Sequence, residues 1–119
     1  MNDINAIYYN DFGIAFQWKK ESLKHQKKIQ VVFRDTGFLL TKKELVRFSK
    51  HIQCTMSENY ICDCCAQKES CRALLLETPV QQVSLAVSKK ELTAIKDLIE
   101  GTIFQLNLGN FLDEICNEY

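Results

Sequence analysis

Cysteine is the residue in this sequence best suited to chemistry. There are six, and five fall within eighteen positions: Cys54, Cys62, Cys64, Cys65 and Cys71. Cys116 stands apart near the C-terminus. His51 lies three residues before Cys54. On a helix that spacing turns both side chains toward one region. Together they form a candidate metal set, because zinc takes four thiolates or imidazoles in a tetrahedron. The spacing weakens that reading. Zinc ribbons and fingers offer two C-x₂₋₄-C knuckles, and Cys62-x-Cys64-Cys65-x₅-Cys71 matches neither. An iron–sulfur cluster is less favoured still. Reduced, buried cysteine acting as a small hydrophobe leads, zinc comes second, and a disulfide such as Cys62–Cys71 or Cys54–Cys65 third. Catalysis by cysteine is not expected. It needs a thiolate, and His51 and Cys54 fall at the end of a helix, where the dipole opposes one.

No other set of residues completes a catalytic site. Asp11-Phe12-Gly13 shares letters with the kinase metal-binding triplet, but a chain of 119 residues lacks the rest of that machinery and the triplet reads as a turn. Asp113-Glu114 reads as solvated surface. The expectation is a protein that is not an enzyme and holds no cofactor, with zinc the one candidate to the contrary.

Charge balances overall, fifteen basic residues against fifteen acidic. It is split by position. Residues 1–50 carry ten Lys or Arg and five Asp or Glu, a net +5, so residues 51–119 carry −5. Lys19, Lys20, Lys24, Lys27 and Lys28 supply half of the ten. They read as a solvated connection guarding strand edges. An anion-binding patch is the sharper and weaker alternative, so nucleic acid is not an expected partner. Met1-Asn2-Asp3-Ile4 opens no basic leader and no apolar h-region, and no apolar run reaches the roughly 18 residues of a membrane helix. Both point to the cytoplasm, where stable disulfides are rare.

The elements that would position these residues emerge from periodicity. Ala6–Tyr9 and Ile14–Trp18 read as a hairpin around residues 10–13. Its aromatics, Tyr8, Tyr9, Phe12, Phe16 and Trp18, read as core or interface rather than as a base-stacking platform, since lysines begin only after them. Ile29–Phe33 and Phe38–Leu40 form a second strand pair turning at Asp35-Thr36-Gly37. Thr41 and Glu44 then make a capping box, hydroxyl to one amide and carboxylate back to another, ahead of an apolar stripe at Leu45, Phe48 and Ile52. The same plan recurs 47 residues on. Ala73–Leu76 and Val83–Val87 make strands, Ser88 and Glu91 the box, and Leu92, Ile95 and Ile99 the stripe. Pro79 falls in the connection, Gly101 in the position that ends a helix, and His51 opposite Leu98. Leu108, Phe111, Leu112 and Ile115 suggest a third helix starting near Asn107.

The segment from Val31-Val32-Phe33 through Phe38–Phe48, together with Pro79-Val80-Gln81-Gln82-Val83-Ser84-Leu85, resembles a family of small bacterial proteins known only as a domain of unknown function. The resemblance covers roughly residues 29–100. It implies no activity, cofactor or site residue.

The fold class expected is α+β: an antiparallel sheet of up to six strands with two or three helices on one face, built from two ββα repeats and an N-terminal hairpin. One domain is expected, divided as residues 1–28 (hairpin and basic connection), 29–55 (first repeat), 56–71 (cysteine-rich connector), 72–101 (second repeat) and 102–119 (C-terminal helix). The sheet face away from the helices is expected to carry Tyr8, Phe16 and Trp18, and to need a cover, most simply a second subunit. The function expected is therefore self-association or partner binding. A zinc- or thiol-dependent module at residues 51–71 is the alternative.

Overall fold

A computed structural model describes residues 4–18, 28–57 and 74–117, with side chains placed as far as residue 109. The elements are β1 (Ile4–Tyr9), β2 (Gly13–Trp18), β3 (Ile29–Phe33), β4 (Thr36–Leu40), α1 (Lys42–Ser57), β5 (Leu74–Glu77), β6 (Ser84–Val87) and α2 (Lys89–Asn117). The class is α+β, but the strands divide in two. β1 to β4 form an antiparallel four-strand sheet in chain order, and β5–β6 form a separate hairpin. The single sheet of up to six strands is thereby corrected. Helix α1 lies between the two and packs on β5 as well as on β4, while α2 crosses β1 and β2.

The strands alternate as half-buried strands must. On β3, Ile29, Val31 and Phe33 are buried and Gln30 and Val32 half-buried. On β6, Leu85 and Val87 point in and Ser84 and Ala86 out. The helices bury the stripes expected of them: Leu45, Phe48 and Ile52 from α1, and Leu92, Ile95 and Ile99 from α2, all within 1% of full burial. Leu98 joins them, and the strands supply Val31, Phe33, Leu40, Leu76 and Val87 to the same core.

Both capping boxes form. The Thr41 amide donates to Glu44 Oε1 at 2.9 Å and the Glu44 amide to Thr41 Oγ1 at 3.2 Å. The Ser88 amide donates to Glu91 Oε1 and the Glu91 amide to Ser88 Oγ, each at 3.0 Å. Each box satisfies an amide that the first helical turn leaves without a partner.

Three expectations are corrected. The β3–β4 turn is Arg34-Asp35, not Asp35-Thr36-Gly37, because Phe33 pairs with Thr36. Arg34 takes φ 53°, a left-handed conformation usually left to glycine. Gly101 does not end a helix, and no separate third helix begins near Asn107, since α2 runs unbroken for 29 residues. The reason is packing. A Cβ on Gly101 would land in the ring of Tyr8, so glycine is there to admit a side chain rather than to stop the helix.

The third correction concerns Tyr8. Ala6 pairs with Phe16 but Tyr8 with Ala15, two steps on β1 against one on β2. That is a β-bulge at Ile7, and a one-residue slip moves the residues after it to the opposite face. Tyr8 therefore faces the helices, and Tyr9 takes the outer position.

Candidate functional site

The two faces of the four-strand sheet differ in what covers them. The inner face carries Tyr8, Ala15, Val31 and Phe38 in one cross-strand row, with Phe33, Ile29 and Leu40 beside them. α1 and α2 cover it. The outer face has three rows. Tyr9, Ile14, Val32 and Gly37 make the first, Ala6, Phe16, Gln30 and Leu39 the second, and Ile4 with Trp18 the third. None of these ten residues carries a charge, in a chain that is 25% charged. No described helix or strand packs on that face.

Exposure varies across it. Tyr9 is 72% exposed and Trp18 39%. Phe16 is 8% exposed although it lies outside the main core. Its ring meets that of Trp18 edge to face at 5.1 Å, a favoured aromatic geometry. Gln30 is the one carboxamide on the face, whose other side-chain hydrogen-bonding groups are the Tyr9 hydroxyl and the Trp18 indole N–H. Its Nε2 donates to the Phe38 carbonyl at 3.2 Å, across to the neighbouring strand.

The β1–β2 turn is the second feature that residue chemistry singles out. Asn10 Oδ1 accepts from the amides of Phe12 and Gly13, both at 2.9 Å, an Asx turn that shapes the loop. Asn10 Nδ2 donates to the Ala94 carbonyl at 3.0 Å and to Asp97 Oδ2 at 2.9 Å. The Tyr8 hydroxyl donates to the Asp97 carboxylate, 3.0 Å from each oxygen. This bond first, then partial desolvation and the negative charge of Asp97, hold the Tyr8 phenol above its ordinary pKa. A groove of about 650 Å³ opens beside the network, lined by Asn10, Asp11, Phe12, Lys90, Glu91, Thr93, Ala94 and Asp97. It brings together no nucleophile and base. Asp97 is occupied in fastening the hairpin to α2, so the arrangement is a clasp. Sequence reasoning missed it, since nothing in Asn10-Asp11-Phe12-Gly13 points to a helix more than eighty residues away.

A related clasp holds the β3–β4 turn. Arg34 Nη1 donates to Glu91 Oε2 at 3.2 Å and to the Ala86 carbonyl at 3.3 Å. Glu91 thus serves its helix cap through one oxygen and Arg34 through the other.

Of the candidate metal ligands, Cys62, Cys64, Cys65 and Cys71 lie outside the described residues. So do Lys19, Lys20, Lys24 and Lys27, and so does the Cys116 side chain. Cys54 is exposed with a free thiol. His51 Nδ1 lies 3.1 Å from the Glu77 carbonyl oxygen. A carbonyl only accepts, so Nδ1 carries the hydrogen and the bond ties α1 to the end of β5. Among the described residues, no three His, Cys, Asp or Glu side chains are grouped to hold a metal ion. None of their helices is long and apolar enough to cross a membrane.

One family model matches residues 7–115, from the second half of β1 almost to the end of α2. The chain belongs to DUF6686, a family of unknown function. The match takes in β2, both capping boxes and nearly all of α2, and so extends well beyond the segments that carry the resemblance in the sequence. Comparison with curated proteins and with solved structures gave no match.

Proposed function

We propose that this member of DUF6686 is a non-enzymatic association module that docks through the outer face of its four-strand sheet. One observation carries the reading: ten outward residues on four strands, seven of them large and apolar, and none charged. The largest apolar patch on a protein surface is often its binding site. The clasps at Tyr8–Asp97 and Arg34–Glu91 fit the same reading. They hold the sheet rigidly to its helices, so the outer face is a preorganised surface.

The test uses an uncharged solvatochromic dye and the variant Val32→Lys. Dye taken up by the dilute wild type and not by the variant, with circular dichroism unchanged, is the expected result. Equal uptake by both would remove the outer face from the account.

The scaffold is read as two copies of one ββα unit, β3–β4–α1 and β5–β6–α2. What supports this is position-by-position agreement 47 residues apart. Phe38 and Leu85, Leu40 and Val87, Leu45 and Leu92, Phe48 and Ile95, and Ile52 and Ile99 are all buried.

A second reading keeps the cysteine segment in view. His51 with hydrogen on Nδ1 leaves its Nε2 lone pair free to ligate, and ligating histidines commonly give their other N–H to a carbonyl in this way. On that reading residues 51–71 hold structural zinc. Metal analysis of protein purified without added metal, beside a thiol count under denaturant, decides it. Six free thiols with no stoichiometric metal would end the reading.

A further inference from the structure

We infer that the partner seated on the outer sheet face is a second copy of this chain, related by a twofold axis passing beside Gln30 and Phe16. The inference rests on the association reading above and names its partner. Two features point to a copy rather than to a different protein.

The first is charge. A face without charged residues is matched, with none stranded, by another face without charged residues, and its own copy presents one. A twofold contact repeats every favourable pairing. Two twisted sheets also stack naturally face to face at about 10 Å, with their strands within roughly 30° of each other.

The second is Gln30. It stands in the middle row, between Phe16 on β2 and Leu39 on β4. Its Nε2 makes one bond, to the Phe38 carbonyl. The second amide hydrogen and the Oε1 acceptor have no partner among the described residues. An apolar partner would bury them unsatisfied, at a cost. A carboxamide is both donor and acceptor, so a second Gln30 across the axis satisfies both. A carboxamide pair in the middle of a largely apolar interface also sets its register, as a buried asparagine does in a coiled coil.

The size of the face bears on affinity. Four strands about 4.8 Å apart and five residues at about 3.4 Å each give a footprint of roughly 19 by 17 Å. That is about 320 Å² per copy, less than half of the roughly 800 Å² a partner contributes to a standard interface, so the dimer is expected to be weak and readily reversible.

Sedimentation equilibrium on the full chain tests this with a charge swap. The wild type should dimerise reversibly. Gln30→Lys and Gln30→Glu should each weaken the dimer at least tenfold, and an equimolar mixture of the two should restore it. Circular dichroism checks that both variants fold, and Trp18→Lys with Trp18→Glu provides a second pair of single variants expected to be monomeric. Restoration by mixing supports the twofold placement. Monomeric variants that stay monomeric when mixed overturn it. A wild type that is monomeric up to millimolar concentration overturns the second copy and leaves the association reading to the dye test. A dimer unaffected by all four variants overturns both.

Discussion

Tyr8 and Gly101 determine each other. The bulge at Ile7 turns Tyr8 toward α2, and α2 receives it only because position 101 has no Cβ. Gly101→Ala should therefore destabilise. Alanine would gain about 1 kcal/mol of helix propensity, but overpacking a seated ring costs about 1–3 kcal/mol. Tyr8 must also leave its bond to Asp97. A net loss of about 1–2 kcal/mol is expected by urea titration, with the helical signal intact. Tyr8 also makes stability depend on pH. Its pKa is raised in the fold, chiefly by the bond to Asp97, so the proton is held more tightly in the folded state than in the unfolded one. Its contribution is complete below the unfolded value of about 10 and is lost as pH rises through the higher folded value. The melting temperature of the wild type should thus fall more steeply above about pH 10 than that of Tyr8→Phe. Parallel curves would show that the bond is not made. Neither residue's role could be read from the sequence. A bulge leaves the alternation of β1 ambiguous, and glycine after an apolar stripe is ordinarily a helix stop.

At the scale of elements, the caps are the features most legible from residue types. Thr41-x-x-Glu44 and Ser88-x-x-Glu91 predict two helix starts, and both boxes are bonded as expected. Strands β2, β3 and β6 and the buried stripes of α1 and α2 were equally legible, because period-two and helical spacing are properties of the chain itself. The β3–β4 turn was not. Gly37 drew the turn toward itself, while the left-handed position fell on Arg34. The ion pair to Glu91 and the bond to Ala86 hold Arg34 there. The two caps should therefore differ in cost. Glu44→Ala loses one capping bond, worth about 1 kcal/mol. Glu91→Ala loses the same bond and also the ion pair to Arg34, which leaves the strained Arg34 turn with less to hold it, so it should destabilise by more, about 2 kcal/mol. Chemical denaturation of the two variants compares them directly. Equal losses would mean that the Arg34–Glu91 ion pair contributes nothing to the junction. The division of the strands into a sheet and a hairpin was not legible either. Strand spacing says which residues alternate, but α1 packing between β4 and β5 is a tertiary choice.

Across the whole molecule, one face of the sheet is packed on the core, and the other is the one proposed above for association. An apolar second face was foreseeable from Phe16 and Trp18, while Tyr9, Ile14, Val32 and Leu39 joined it only once register was known. Of the candidate ligands in the cysteine segment, chemically the most suggestive stretch of the sequence, only His51 and Cys54 are among the described residues, and there His51 fastens α1 to β5. Trp18 is the chain's single tryptophan and lies on the outer face. Its fluorescence therefore reports on that face alone. The most direct test is the Trp18 emission maximum across a concentration series from nanomolar to hundreds of micromolar, beside the folded variant Val32→Lys. The account predicts a shift to the blue in the wild type as copies cover the face, and none in the variant. An emission maximum that stays constant with concentration and is the same in both would contradict it.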